Sequence, residues 1–189
     1  PRQQQARKVE IEANVPLEAL YKTWHIGGRL DNSYYATDII TEVLGSGASS
    51  RLYQRLVKEQ RLFSNIECYH FGSFDPGLLT IEGKLVKGVK IQDAEAAVNA
   101  EIEKLVNEGI DDKELQKSKN KTESLIAFED MALMSRATNL AMYELLQDAN
   151  LMNEELQKFQ AVTAEELKAT AAQIFDPANS NTMYYLARN

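Results

Sequence analysis

The sequence predicts an α+β fold, a mostly antiparallel sheet of about five strands packed against helices. Three observations carry that expectation. Apolar residues alternate with period two near the start and again in the middle of the chain. Turn chemistry links neighbouring strands in the manner of hairpins. From about residue 90 the apolar spacing lengthens to that of a helix. The order reads β-β-α-α-β-β-α-α-α-α-β, without the regular alternation that a doubly wound nucleotide fold requires.

Arg7 to Val15 places Val9, Ile11 and Ala13 on one face and Lys8, Glu10 and Glu12 on the other, a strand with one wet face. Pro16 interrupts it. Ala19 to Ile26 is rich in aromatic and β-branched residues and forms a second strand, ended by Gly27-Gly28. Asp31-Asn32-Ser33 supplies caps for a helix whose apolar stripe is Ala36, Ile39, Ile40, Val43 and Leu44. After Gly45-Ser46-Gly47, Ser49 or Ser50 caps a second helix with the stripe Leu52, Tyr53, Leu56 and Val57. Leu62 to Phe71 and Leu78 to Leu85 are two more strands, joined through Gly72-Ser73-Phe74-Asp75-Pro76-Gly77.

Ala94, Ala97, Val98, Ile102 and Leu105 then mark a helix that stops at Gly109. Asp111 and Glu114 have the spacing of a capping box and open a helical stretch to about Leu146, with a break near Glu129-Asp130. Thr122, Leu125, Ile126, Leu133, Ala137, Leu140 and Ala141 are assigned its buried side. Met152, Leu156 and Phe159 mark a short helix. Thr163 and Glu166 form a second capping box, and Thr182 to Ala187 closes the chain as a strand.

The 189 residues are 44% apolar and 26% charged, which fits one folded domain over residues 1–189 and excludes a disordered or low-complexity chain. Lysine and arginine number 21 against 28 acidic residues, a net charge of −7. That balance argues against nucleic-acid partners and against docking on anionic membranes. No apolar run approaches the ~20 residues needed to span a bilayer. The lone Cys68 excludes an internal disulfide framework and a multi-thiolate zinc site. It fits a reducing or an oxidising compartment alike, cytoplasm or periplasm in a bacterial setting. The chain begins at Pro1 without a methionine, which suggests a piece of a longer protein.

Catalytic chemistry is sparse. His25 and His70 are the two histidines, on separate strands, and neither lies in a helical zinc spacing. They could meet only in space, with Glu67 or Cys68. Cys68 and His70 share a strand face by their spacing, so a thiol–imidazole pair is conceivable, although a lone cysteine is usually a small buried hydrophobe. Gly45-Ser46-Gly47-Ala48-Ser49-Ser50 imitates a phosphate loop, but it lacks the Lys-Ser/Thr ending and follows a helix rather than a strand. It reads as a helix connector in which Gly47 permits a positive φ. The expected site list therefore holds no catalytic residue and no metal ligand.

One segment is distinctive. Tyr34-Tyr35-Ala36, then Val43-Leu44-Gly45-Ser46-Gly47-Ala48-Ser49-Ser50-Arg51-Leu52-Tyr53 and on to Gln60, resembles the L-G-G-G-x-S-S-R-L stretch of the insulinase/pitrilysin/processing-peptidase family of zinc metallopeptidases. Leu20 to His25, Asp75-Pro76-Gly77, Glu114 to Lys121 and Thr163 to Leu167 resemble further parts of that pattern. The resemblance implies homologous halves closing around a peptide, one bearing zinc on an H-x-x-E-H helix. The corresponding helix here, Tyr34 to Leu44, contains no histidine. The chain therefore resembles the zinc-free C-terminal half. Implied partners are a homologous zinc-bearing N-terminal domain and a peptide substrate; the zinc belongs to that partner, and this half alone is not expected to cleave.

In many relatives this half offers an Arg, and a Tyr seven residues on, to the substrate. Alignment on Ser49-Ser50-Arg51-Leu52 puts Val57 and Ser64 at those positions. Both are substituted: Val cannot donate to a carbonyl, and Ser is shorter than Tyr by a ring. A non-catalytic peptide-binding subunit of the same fold is the alternative expectation.

Overall fold

The computed structural model describes residues 3–71, 74–129 and 131–188. Pro1, Arg2, Gly72, Ser73, Asp130 and Asn189, which include parts of the expected chain start, hairpin turn and helix break, lie outside them. Five strands form one sheet: β1 (Arg7–Ala13), β2 (Ala19–Ile26), β3 (Phe63–His70), β4 (Gly77–Leu85) and β5 (Ser180–Ala187). Their spatial order is β1-β5-β2-β4-β3. The pairs β2/β4, β2/β5 and β3/β4 are antiparallel, as expected. The pair β1/β5 is parallel, so the sheet is mixed.

Six α-helices follow the expected order: α1 (Tyr34–Gly45), α2 (Ile91–Glu108), α3 (Asp112–Glu129), α4 (Leu133–Leu145), α5 (Leu151–Ala161) and α6 (Ala164–Ile174). The expected second helix, after Ser50, is wound as a π-turn over Tyr53–Glu59. Its i+5 bonding shows where the amide of Gln60 donates to the carbonyl of Arg55 at 2.9 Å. Neither serine caps it. The Ser50 hydroxyl donates backwards to the Gly47 carbonyl at 2.8 Å, and Ser49 accepts from Lys117 at 2.6 Å. Gly47 does adopt a positive φ, 76°.

The core lies between one sheet face and the helices. Leu20 and Trp24 of β2, Leu79 and Ile81 of β4, and Phe63 and Ile66 of β3 are buried against Ile39, Ile40 and Leu44 of α1, Val98 of α2, and Leu167 and Ala171 of α6. Fully burying such side chains stabilises by about 1.5–3 kcal/mol each. At Gly45, where α1 crosses β3, an added Cβ would stand 2.0 Å from the backbone nitrogen of Cys68, so only glycine permits this approach.

Two expectations about burial fail. Val9 and Ile11 of β1 are 50% and 40% exposed, because an edge strand paired only with β5 has neither face covered. The stripe assigned to the α3–α4 stretch is largely in solvent as well. α4 has no buried residue, and Met131 and Leu133 are 80% and 82% exposed. The helical period holds, but no described element packs on that face.

Candidate functional site

Helices pack on one face of the sheet, and the opposite face is open. The registers put Val9 and Ile11 beside Met183 and Tyr185, Met183 beside Tyr21, and Tyr21 opposite Glu82. None of those large side chains is buried. Tyr21 and Tyr69 each donate to Glu82, both at 3.3 Å, so a carboxylate is held between two phenols near the middle of this face. Burial, the Glu82 charge and its hydrogen bond raise both phenols above the usual tyrosine range. They remain neutral donors.

The histidines cannot share an ion. His25 pairs with Leu78 and His70 with Leu79, and adjacent residues of β4 point to opposite sheet faces. His70 lies on the helix side, where Nε2 stands 2.9 Å from Oδ1 of Asp38 in α1 and the ring meets Tyr34 edge-on. His25 lies on the open side, with Nδ1 3.2 Å from Oδ1 of Asn179. Glu67 is opposite Glu82 on the open face, out of reach of His70. Among the described residues no cluster of three or more His, Cys, Asp or Glu side chains could hold a metal.

Cys68 is buried on the helix side, and burial pushes its thiol far above the ordinary value. A nucleophilic cysteine needs the opposite shift. The expected shared face with His70 is real, but His70 is engaged by Asp38, and nothing prepares a thiolate.

The two positions that the resemblance singles out are close in sequence and differently placed. Val57 falls inside the π-turn and is half-buried against the core. Ser64 is exposed at the start of β3, where its hydroxyl donates to the Lys84 carbonyl at 3.1 Å. The S-S-R-L segment itself is structural. Arg51 reaches Glu114 in α3 and the carbonyl of Gly109, tying the π-turn to the α2–α3 junction.

Two polar networks went unread in the sequence. Lys22, on the buried side of β2, donates to Glu95 of α2 at 2.7 Å and to Thr182 at 3.1 Å, while Tyr184 donates to the other Glu95 oxygen at 2.5 Å. Arg29 pairs with Glu155, donates to the Tyr143 hydroxyl at 2.8 Å, and lies 4.1 Å from the centre of the Tyr34 ring. A lysine at a core-facing strand position was the one available signal for the first. The second joins residues more than a hundred apart, and no local pattern announces it.

This geometry has known counterparts. Residues 1–122 match the family model described as the peptidase M16 inactive domain. The chain belongs to the peptidase M16 family. The M16 inactive domain here is 27% identical over 142 residues to an uncharacterized zinc protease, YmxG, of Bacillus subtilis; the match takes in 75% of this chain and 34% of that protein. The chain thus spans about a third of the curated relative. Among solved structures, a protease from Helicobacter pylori superposes with a TM-score of 0.93 at 22% identity, covering 98% of this chain and 45% of the other. The inactive peptidase domain of a zinc protease from Bordetella parapertussis gives 0.83 at 17% identity, covering 93% and 96%. At those identities the superpositions establish the fold. No helix among the described residues is long and apolar enough to cross a membrane.

Proposed function

We propose that this M16 inactive domain is the metal-free, C-terminal half of a two-domain zinc metalloendopeptidase. It walls the cleft that receives an extended peptide and supports the half that carries the zinc. The observation that carries this reading is the sheet's open face. A layered α+β domain normally buries or wets such a face. This one presents Val9, Ile11 and Leu78 to solvent beside the Tyr21–Glu82–Tyr69 group, apolar area with polar anchors. A peptide lying across such a face would be held by side-chain contacts, apolar groups against Val9, Ile11 and Leu78 and polar groups against Tyr21, Glu82 and Tyr69.

Phe128 near the end of α3 and Met131, Leu133 and Met134 around the start of α4, each at least 70% exposed, support the second part of the reading. Large apolar side chains left in solvent this close in sequence mark an interaction site, and a homologous zinc-bearing half is the occupant we assign. Hydrolysis then belongs to that partner, whose zinc would polarise the scissile carbonyl and lower the pKa of its water. Val57 and Ser64 would line the substrate path by contact rather than by the donors found at the corresponding positions of many relatives. A cytoplasmic or periplasmic setting is compatible with this role.

Radical footprinting of the full-length protease against this chain alone tests the reading. Met131, Met134 and Phe128 should lose most of their labelling in the full-length protein. Val9, Ile11 and Leu78 should lose theirs only when a non-cleavable peptide is added. Unchanged labelling of both groups would overturn the proposal. Peptide-dependent protection in a full-length protein that lacks H-x-x-E-H would favour a binding subunit instead.

A further inference from the structure

A cleft of about 380 Å³ opens among the helices, between the loop after β2, the end of α4, α5 and the first turn of α6. That volume falls in the range of small-ligand sites, ~300–1,000 Å³. None of the lining residues lies in a strand, so the cleft is separate from the open sheet face. Leu30, Leu151 and Ala161 give it an apolar wall. Arg29, Lys158, Asp31 and Glu166 give it charge, two cations and two carboxylates.

Each of the four charged groups has capacity left. The hydrogen bonds of Arg29 to Tyr143 and Glu155 all leave from Nη2, so most of its five N–H donors remain. Lys158 meets Glu154 at 3.1 Å, which occupies one face of an ammonium with three donors. Asp31 receives the amide and the hydroxyl of Ser33 on the same oxygen, Oδ1, and Oδ2 is left to accept. Glu166 gives its backbone amide to Thr163, while its carboxylate has no ion pair among the described residues. An anion in this cleft would suit Arg29 and Lys158 and be repelled by Asp31 and Glu166. A cation has the reverse fault. A ligand that carries both charges on an apolar body matches every part of the lining.

We infer that this cleft binds a zwitterionic short peptide with apolar side chains, its carboxylate held by Arg29 and Lys158 and its ammonium by Asp31 and Glu166. The side chains lie against Leu30, Leu151 and Ala161. The site goes beyond the peptidase reading and does not depend on it. Because Tyr143 stands in the wall and α4 has no buried residue, occupancy would also fasten the end of α4.

Leucyl-leucine titrated into the ¹⁵N-labelled chain, at constant ionic strength and below the α-amino pKa of about 7.7–8.0, tests the inference. Saturable shifts confined to residues 29–35, 143–151 and 158–166 are expected, with none at Tyr21, Tyr69 or Glu82. N-acetyl-leucyl-leucine lacks the ammonium and leucyl-leucinamide lacks the carboxylate. Each should bind about tenfold more weakly, as the loss of a charged hydrogen bond implies. Glu166→Gln should weaken the parent dipeptide several-fold and leave the acetylated one unchanged. Glu165→Gln, one residue earlier and equally in solvent, is the control for bulk charge. Equal binding of either capped peptide, shifts that do not saturate, or shifts centred on the open sheet face would overturn the inference.

Discussion

Arg51 grips Glu114 with two parallel hydrogen bonds, Nε to Oε1 at 2.9 Å and Nη2 to Oε2 at 2.5 Å. The residue that anchors the family resemblance is thus a strut between the π-turn and α3. The same Glu114 closes the Asp111 capping box, its amide donating to Asp111 Oδ1 at 2.7 Å. Arg51→Lys keeps the charge but loses the fork, and should cost about 1–2 kcal/mol. Urea unfolding would read it. Equal stability of the two proteins would show that the planar geometry contributes nothing.

Arg29 should control α4 locally. With no buried residue of its own, α4 depends on Tyr143, whose hydroxyl accepts from Arg29. Arg29→Ala also strands Glu155 among aromatic rings, and removing one partner of such a pair costs about 3–5 kcal/mol when buried. Hydrogen exchange should accelerate across 133–145 before it changes in β2 and β4. Uniform acceleration would argue against a local role.

Glu95 gives the fold a definite acid dependence. Burial alone would raise its carboxyl, but hydrogen bonds from Lys22 and Tyr184 outweigh that and hold it below the usual range. A depressed carboxylate stabilises the folded state above the unfolded pKa, near 4.3, and that stabilisation is lost as pH falls through the folded value. Glu95→Gln should therefore destabilise strongly at pH 7, by about 3 kcal/mol since Lys22 is left buried without its counter-charge. The gap from the parent should narrow below pH 4. A gap independent of pH would contradict the assignment.

Cys68 should be inert. Its raised thiol and burial predict slow modification by a disulfide reagent until the chain unfolds. Cys68→Ala should leave any activity of the full-length protein intact, at a stability cost of about 1–2 kcal/mol. Fast labelling of the native chain would reopen thiol chemistry.

Restoring the two substituted positions tests their role. V57R with S64Y in the full-length protein should tighten peptide binding up to about thirtyfold, each added donor bringing about 1 kcal/mol. No change in affinity, with folding intact, would separate these positions from the substrate path.

Much of this was legible in the residues. Ala19 to Ile26 was bounded correctly because Pro16 and Gly27-Gly28 punctuate it, and Asp111–Glu114 opened α3 where its spacing said. The Thr163 hydroxyl caps α6 by accepting from Glu166 at 3.1 Å. What failed was context. Alternation in β1 states which residues share a face, not whether anything covers it. The stripe Leu125, Leu133 and Leu140 has a core pattern, yet it lies bare, because spacing states which residues share a helix face and not whether another element packs on it. The parallel partner of β1 lies some 170 residues away in sequence, which no local period can encode.

That pairing has a kinetic corollary. Because β5 is inserted between β1 and β2, a nascent chain that has emerged only to Phe175 lacks the strand that joins β1 to this sheet. Such distant closures slow folding, and until residues 180–187 arrive the unpaired edges of β1 and β2 are open to intruding strands. Chaperone dependence during translation, more than after it, is where this architecture is most exposed.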